Sequence, residues 1–495
     1  LNPKALLTDR LYVNEAYVTD DMLSEYEVPF MIGTDPYTKE PIYSKICHYE
    51  RIQISHDESM IAFNRGDLDK MQRVFSNFEI VDQRISIPMK ASLKIRFNPG
   101  KSWRSYQPDA VMAMTEKEHG ILEAPPRSGK TLLIAAAICM NREKAIVFAH
   151  QTDLLLQLFD TFEEFTNLNE IKTSHCPVVG FPESMEDFET LDVALCTKQT
   201  FDNIINRSKA RVVQKLFGAV YVDEAHYVGG EVYSQLINRF HSRIRQGVTA
   251  TPRRKDNLHI VVDGILGGII HKITRSEIGC VPMEVTTIST DVTLPKKDTQ
   301  FVRALSYLSQ HEARNELILG WMQKDVSEGH RIIAVTDRKP HGVYLRDKLR
   351  ERGIVAEVFN GTVSDRHLRK KILGGIRHGD TKVLIVMRGM CTGLDIPAAD
   401  CFYNLLPSAN SVAEEGEYEG GGGYEQQCTR VLTPHPGKKC GIVRDFVDNC
   451  AIGYATLGRR KKTYTKLGAV VKSYLASQEK KNQLDLGSAV DSTTF

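Results

Sequence analysis

The sequence predicts an α/β protein: two tandem parallel-sheet units, each covered by helices, preceded by a small α/β N-terminal domain. Three observations predict it. Short apolar runs alternate with helix-patterned segments from about residue 103 to 275, the pattern of strands buried on both faces. After an irregular stretch to about 310 the alternation restarts, so the unit occurs twice. Between the first apolar run and the helix after it lies a Gly-Lys-Thr turn, the join at which such sheets hold phosphate.

The elements follow in order. In residues 1–100, Leu68, Met71, Val74, Phe75 and Phe78 recur at helical spacing behind a cap at Asp67. Residues 52–54 and 85–87 read as short β-rich runs, and Asn98-Pro99-Gly100 is a turn that ends the domain. The first sheet draws strands from 120–123, 145–149, 193–196, 219–222 and 246–248. The second draws them from 331–335, 355–359, 383–386, 401–405 and 441–444. Glu312 and Arg314 before Leu317, Ile318, Trp321 and Met322 start an amphipathic core helix. The resulting division is 1–100, 101–290, 291–475 and a polar tail, 476–495. Residues 414–423 are acidic and glycine-rich and read as a flexible loop.

Composition excludes several classes. The 495 residues carry 64 Lys+Arg against 62 Asp+Glu, a net charge of +2, so neither a polycation nor an acidic tail protein is in hand. A nucleic-acid partner remains open, because binding needs a local basic face rather than a basic total. No apolar run approaches the roughly 18 residues that span a bilayer, and the N-terminus has no signal-peptide core. Ten cysteines are scattered without a C-x-x-C pair. That pattern argues against a zinc ribbon or redox motif and fits a reducing, intracellular, cytoplasmic setting.

Two segments carry chemistry. Ala124, Pro125, Pro126, Arg127, Ser128, Gly129, Lys130 and Thr131 follow a strand and open an apolar helix. Backbone N–H groups and a helix N-terminus there suit a triphosphate, with Lys130 at the β/γ oxygens and the Thr131 hydroxyl on Mg²⁺. Asp223-Glu224-Ala225-His226 closes the apolar run 219–222. A carboxylate at that strand end would hold Mg²⁺ through Asp223, while Glu224 orients or deprotonates the attacking water.

This pair resembles motifs I and II of superfamily 2 helicases, and further segments match in the family's order. Arg104-Ser105-Tyr106-Gln107 looks like the adenine-reading element, with Gln107 at the base edge. Val147-Phe148-Ala149-His150 with Leu154 and Gln157 resembles motif Ia, Cys196-Thr197-Lys198-Gln199-Thr200 motif Ib, and Gly247-Val248-Thr249-Ala250-Thr251-Pro252 motif III. In the second unit, residues 331–337 resemble motif IV, Phe359-Asn360-Gly361 the loop after it, and residues 388–397 motif V. Glu425-Gln426-Gln427-Cys428-Thr429-Arg430-Val431-Leu432 resembles motif VI. The likeness is greatest to viral, phage UvsW-type branch-migration and XPB-like helicases, whose small DNA-recognition domain the segments 61–66 and 81–84 also resemble.

The resemblance implies two RecA-like lobes with ATP and Mg²⁺ between them. Lys130, Asp223, Glu224, Gln426 and Arg430 would carry hydrolysis and Asp395 would touch the nucleotide. His226 would couple the ATP site to the strand site through motif III. His150, Gln151, Thr197, Lys198, Asp337, Arg338, Asn360, Arg388 and Thr392 would grip a nucleic-acid backbone. Two basic runs, Arg253-Arg254-Lys255 and Arg459-Arg460-Lys461-Lys462 interleaved with Tyr464 and Tyr474, would contact duplex or form solvated helix faces. Departures stand out. Arg127 replaces a common glycine. Thr429 replaces the glycine of motif VI, and Thr433 its second arginine, for which Arg388 or Arg444 could substitute. Three activities stay open: a DNA helicase or translocase remodelling branched DNA with replication or recombination proteins, an RNA helicase or transcript-release motor, and a slowly hydrolysing clamp.

Overall fold

The computed structural model describes residues 2–35, 38, 40–171, 178–208, 212–253, 257–279, 281–295, 300–360, 366–391, 396–407 and 424–475. They form two compact units, 1–278 and 279–495. Residues 414–423, 392–395, 254–255 and Gly361 lie outside the described residues, as does the tail after 475.

The first unit opens with a small mixed sheet. Its strands are β1 (Lys4–Leu7), β2 (Leu11–Asn14), β5 (Tyr49–Gln53), β6 (Ser59–Phe63) and β7 (Glu79–Asp82), in the order β5-β6-β2-β1-β7. Strands β3 (Glu27–Thr34) and β4 (Pro41–Cys47) form a separate hairpin. The helix Leu68–Val74 starts where expected, with the Asp67 carboxylate accepting from the Lys70 N–H at 2.9 Å. It ends at Val74, short of Phe78. Phe75 and Phe78 instead pack edge to face at 5.4 Å, and Phe75 meets Phe63 at 5.0 Å, so burial rather than helical continuity explains their spacing.

Residues 85–87, expected as a strand, form only an isolated parallel bridge, Ile85 with Ser242. The reason is that residues 84–97 run as a strap over the following lobe. The Ile87 N–H donates to the Glu143 carboxylate at 2.7 Å, those of Lys90 and Ala91 to Asp192 at 3.0 and 2.7 Å, and that of Lys94 to Asn167 at 2.7 Å. These backbone donors are satisfied by side chains, so no strand ladder is needed.

The lobe itself is a seven-stranded parallel sheet. Its strands are β8 (His119–Glu123), β9 (Ala145–Phe148), β10 (Val179–Gly180), β11 (Val193–Cys196), β12 (Ala219–Asp223), β13 (Ile244–Thr249) and β14 (Ile269–Lys272), in the order β10-β11-β9-β12-β13-β8-β14. Both faces are buried: Ala145 and Val147 enter one apolar cluster and Ile146 and Phe148 the other. That two-sided burial is why these strands read as unbroken apolar runs.

The N-terminal sheet is fused to this lobe. Gly66 N–H donates to the Gly264 carbonyl at 3.0 Å. A Cβ on Gly66 would stand 2.4 Å from the Asp263 carbonyl oxygen, so the approach requires glycine. Beside it, Arg65 and Arg245 are both fully buried. Arg65 donates to the Ser242 and Phe240 carbonyls, and Arg245 to those of Phe240 at 2.8 Å and Asp9 at 3.0 Å.

The second unit repeats the plan. Strands β15 (Met283–Ser289), β16 (Ile332–Thr336), β17 (Ala356–Phe359), β18 (Val383–Met387), β19 (Cys401–Asn404), β20 (Gly441–Val447) and β21 (Val470–Leu475) lie in the order β17-β18-β16-β19-β20-β15-β21, all parallel. The core helix expected near Glu312 is Glu312–Ser327. It carries Arg314 on its buried side, paired to Asp448 at 2.7 Å. The two parallel sheets and the small mixed sheet match the predicted fold class. No described helix is long and apolar enough to cross a membrane.

Candidate nucleotide site and strand-facing loops

Because the first lobe is all parallel, its chemistry collects at one sheet edge, the carboxyl ends of the strands. Strand β8 delivers the phosphate loop, β12 delivers Asp223 and Glu224, and β13, which lies between them, delivers Thr249. Motif Ia follows β9 and motif Ib follows β11, the next two positions along the same edge.

The loop is bent by two left-handed residues, Arg127 at φ 74° and Gly129 at φ 83°. This accounts for the glycine usual at position 127: the conformation is left-handed, and an L side chain tolerates it at a cost of about 1–2 kcal/mol. Its carbonyl is held by the Arg104 guanidinium at 2.5 Å. Gln107 braces the loop as well. Its amide donates to the Ser128 carbonyl at 3.0 Å while its oxygen accepts from the Arg104 N–H at 3.0 Å. Gln107 is only 2% exposed, so in this structure its amide serves the loop. Lys130 opens a twelve-residue helix whose cap, Gly129, offers no side chain, which leaves the first N–H groups facing the loop. Ser128 is buried and its hydroxyl has no partner among the described residues. Ala124 is buried, and Pro125, Pro126 and Thr131 are half-buried around the same turn.

Lys130 Nζ donates to Glu224 Oε1. Glu224 Oε2 also accepts from Thr249 Oγ1 at 3.3 Å and lies 3.4 Å from His226 Nδ1. Burial opposes its charge, but Lys130 and His226 together hold the Glu224 carboxyl below the ordinary range. Asp223 is 7% exposed and behaves in the opposite sense: burial first, then the Glu224 charge, push its pKa up. A buried carboxylate that forms no ion pair among the described residues suits a divalent metal, so Asp223 and the Thr131 hydroxyl fit Mg²⁺.

The residues expected to grip a nucleic-acid backbone differ in availability. His150 stacks on Tyr227 at 4.3 Å, and burial pushes its pKa down to about 4, so it is neutral at pH 7. Gln151 starts the helix Thr152–Phe165. The Thr197 hydroxyl accepts from the Thr200 N–H at 3.1 Å, so it caps the helix that follows, and Lys198 pairs with Asp202. In the second unit, Arg338 reaches Ser306 at 3.3 Å and the Val302 carbonyl at 3.0 Å, and Asn360 is 9% exposed. Arg388 is 6% exposed and held by Asp337, Gln427, Asn404 and the Leu406 carbonyl. Thr392 and Asp395 lie outside the described residues. Gln426 sits on the helix Tyr424–Cys428, with its side chain outside them, and Arg430 is half-buried on the turn Thr429–Leu432.

Several readings of single residues change. Arg460, read within a basic run, is fully buried against Asp445 at 2.8 Å, and Tyr464 beside it is buried too. Tyr474 packs on Trp321 at 5.1 Å. Only Lys461 and Lys462 of that run are exposed, and Arg253 pairs with Asp263 at 2.9 Å. Arg444, a stand-in for the missing motif VI arginine, is tied to Asp325 at 2.6 Å. The position of that arginine, Thr433, is 6% exposed. Sequence reasoning missed Arg104 as a brace and Thr249 as the hydroxyl between Glu224 and His226. The motif III match already carried the signal for Thr249.

Residues 100–254 match the protein family described as Type III restriction enzyme, res subunit. The chain is 20% identical over 336 residues to DNA 3'-5' translocase XPB2 of Sulfurisphaera tokodaii, covering 60% of this chain and 73% of that one. It is 24% identical over 408 residues to the protein named Probable helicase D10 of Escherichia phage T5, covering 81% and 82%. Among solved structures, Saccharomyces cerevisiae Dbp5 bound to RNA and ADP BeF3 superposes with a TM-score of 0.52 at 16% identity, covering 76% of this chain and 90% of that one. These likenesses, together with motifs I, II and III meeting at one sheet edge, support an ATP-dependent helicase of superfamily 2.

Proposed function

We propose that the chain is a DNA translocase or helicase that remodels forks and junctions, driven by ATP hydrolysis at the Lys130–Glu224 site. The observation that carries this reading is the Lys130–Glu224 pair itself. A triphosphate competes for Lys130, and the exchange of partners releases Glu224 from its cation. Glu224 is then a charged, buried base beside Thr249 and His226, able to orient a water and take its proton. Mg²⁺, held by Asp223 and Thr131, would screen the phosphate charge. Arg430 would supply positive charge to the transferring phosphoryl group, a contribution that can reach about 10³–10⁵ in rate.

DNA as the track is supported by the likeness to DNA 3'-5' translocase XPB2 of Sulfurisphaera tokodaii. The eight cysteines among the described residues are free, which supports a reducing, intracellular setting. The test is a panel of fork, four-way junction, linear duplex and RNA duplex, read for ATPase and strand displacement, with Lys130→Ala and Glu224→Gln as controls. Stimulation by forks and junctions, lost in both variants, is the expected result. Equal activity on RNA duplex with none on forks would overturn the DNA reading. A wild-type chain with no stimulated ATPase would replace the motor by a clamp, for which the buried Thr433 is the structural ground.

A further inference from the structure

A buried polar chain runs through the second unit and holds the motif VI helix at two points. Arg388, on the turn after β18, donates through Nε to both Asp337 oxygens at 2.9 and 3.0 Å. Its Nη1 donates to Gln427 Oε1 at 3.0 Å and its Nη2 to Asn404 Oδ1 at 3.3 Å. The Asn404 amide passes the chain on to Asp445 Oδ1 at 3.1 Å. The other oxygen of Asp445 accepts from Arg460 at 2.8 Å and from the Tyr464 hydroxyl at 2.7 Å, and Tyr464 meets the Tyr424 hydroxyl at 2.5 Å. Tyr424 is the first residue of the motif VI helix and Gln427 the fourth. Arg388, Asn404, Gln427, Asp445, Arg460, Tyr464 and Tyr424 are all buried, so the chain is shielded from water and its geometry is fixed by mutual bonding.

Chemistry narrows what such a chain can do. It includes two arginines, yet each is matched by a buried or half-buried carboxylate, so it is not a spare anion site. It links Asp337, at the carboxyl end of β16, to the helix that precedes Arg430 by two residues. Burial pushes the Cys391 thiol up, and the Arg430 and Arg388 charges act on it in the opposite sense.

We propose that Arg388 is a positioning residue for Arg430, and that the chain from Asp337 to Tyr424 transmits the state of the strand-facing loops to motif VI. This rests on the assignment of Arg430 to hydrolysis. It takes Arg388 out of the set of direct strand contacts. Movement of Asp337 on strand binding shifts Arg388, which shifts Gln427 and with it the turn that presents Arg430.

The test is steady-state ATPase with and without forked DNA for Arg388→Gln, Arg388→Lys, Arg430→Ala and the Arg388→Gln/Arg430→Ala pair. Arg388→Gln should lower the DNA-stimulated kcat at least tenfold. It should leave KM for ATP, the half-saturating DNA concentration and the salt dependence of binding within twofold. Arg388→Lys should recover part of the rate, and the double variant should be no slower than Arg430→Ala. A raised half-saturating DNA concentration with kcat intact would make Arg388 a strand contact and overturn the proposal. So would additive losses in the double variant. If Arg430→Ala leaves the ATPase intact, the assignment of Arg430 fails, an outcome distinct from a null effect of Arg388→Gln on a chain that needs Arg430. Should Arg388→Gln not fold, Gln427→Ala removes the link at the helix itself and carries the same expectations.

Discussion

His226 Nδ1 lies 2.9 Å from Thr249 Oγ1, which joins the end of β12 to the end of β13 through the group that also bonds Glu224. The Glu224 carboxylate and the segment after β13 therefore share one hydroxyl. Thr249→Val keeps the shape and removes the link. The basal ATPase should stay within about threefold, while DNA stimulation should fall at least tenfold, as one charge-assisted bond of about 1.5–3 kcal/mol would allow. Parallel ATPase and strand-displacement assays check this, and full stimulation in Thr249→Val would show that coupling takes another route.

The phosphate loop makes a paired prediction. Gly129→Ala would put a Cβ 2.7 Å from the Gln107 amide at φ 83°, so both space and backbone oppose it. The ATPase kcat/KM should fall at least tenfold. Arg127→Gly relaxes a left-handed residue, so its melting temperature should not drop, and kcat/KM should remain within about threefold. A large loss in Arg127→Gly would assign that side chain a role at the phosphates.

Truncations should differ by where they cut. A chain starting at residue 84 keeps the strap, including the Ile87, Lys90, Ala91 and Lys94 contacts to the lobe. A chain starting at residue 101 loses them and leaves Glu143 and Asp192 without these donors. The second should melt lower than the first, by several degrees, in a calorimetric scan. Equal melting temperatures would show that the strap adds nothing to the lobe.

The second unit should weaken in acid. His341 is 2% exposed; its Nε2 donates to Asn315 Oδ1 at 3.0 Å and its Nδ1 faces Thr336 Oγ1 at 3.1 Å, so the neutral ring is satisfied. The Asn315 amide is itself fixed by the Ser309 carbonyl at 3.0 Å, which sets this tautomer. Burial, then the Arg314 charge, push its pKa down to about 3. The unfolded ring titrates near 6.5, so stability is complete above that pH and declines as pH falls toward 3. Between pH 6.5 and 5 the share of this one residue is about 2 kcal/mol. Urea midpoints at pH 7 and 5 should therefore differ less in His341→Gln than in the wild type.

The motifs were visible because their residue types are tied to position. Lys130 must follow a glycine turn, and Asp223 must end a strand, wherever the chain is read. The strands were visible because burial on both faces leaves no polar interruption. Arginine defeated the same logic. Arg65, Arg245, Arg314, Arg388 and Arg460 are hidden, and a single sequence gives an arginine no mark of burial, since its partners are carbonyls or carboxylates far along the chain. The strap was read as a strand because extended apolar residues look alike, whether ladder bonds or side-chain acceptors satisfy them.

The strap also sets an order of events during synthesis. Its residues leave the ribosome before their partners Glu143, Asn167 and Asp192, which lie 56 to 102 positions downstream. The strap therefore cannot settle until about half of the first lobe has been made. The nascent N-terminal sheet waits on an unanchored leash, and closing these long loops is a late, slow step. A pause in translation before about residue 192 would leave the strap's Lys90 and Ala91 N–H groups without their Asp192 acceptor.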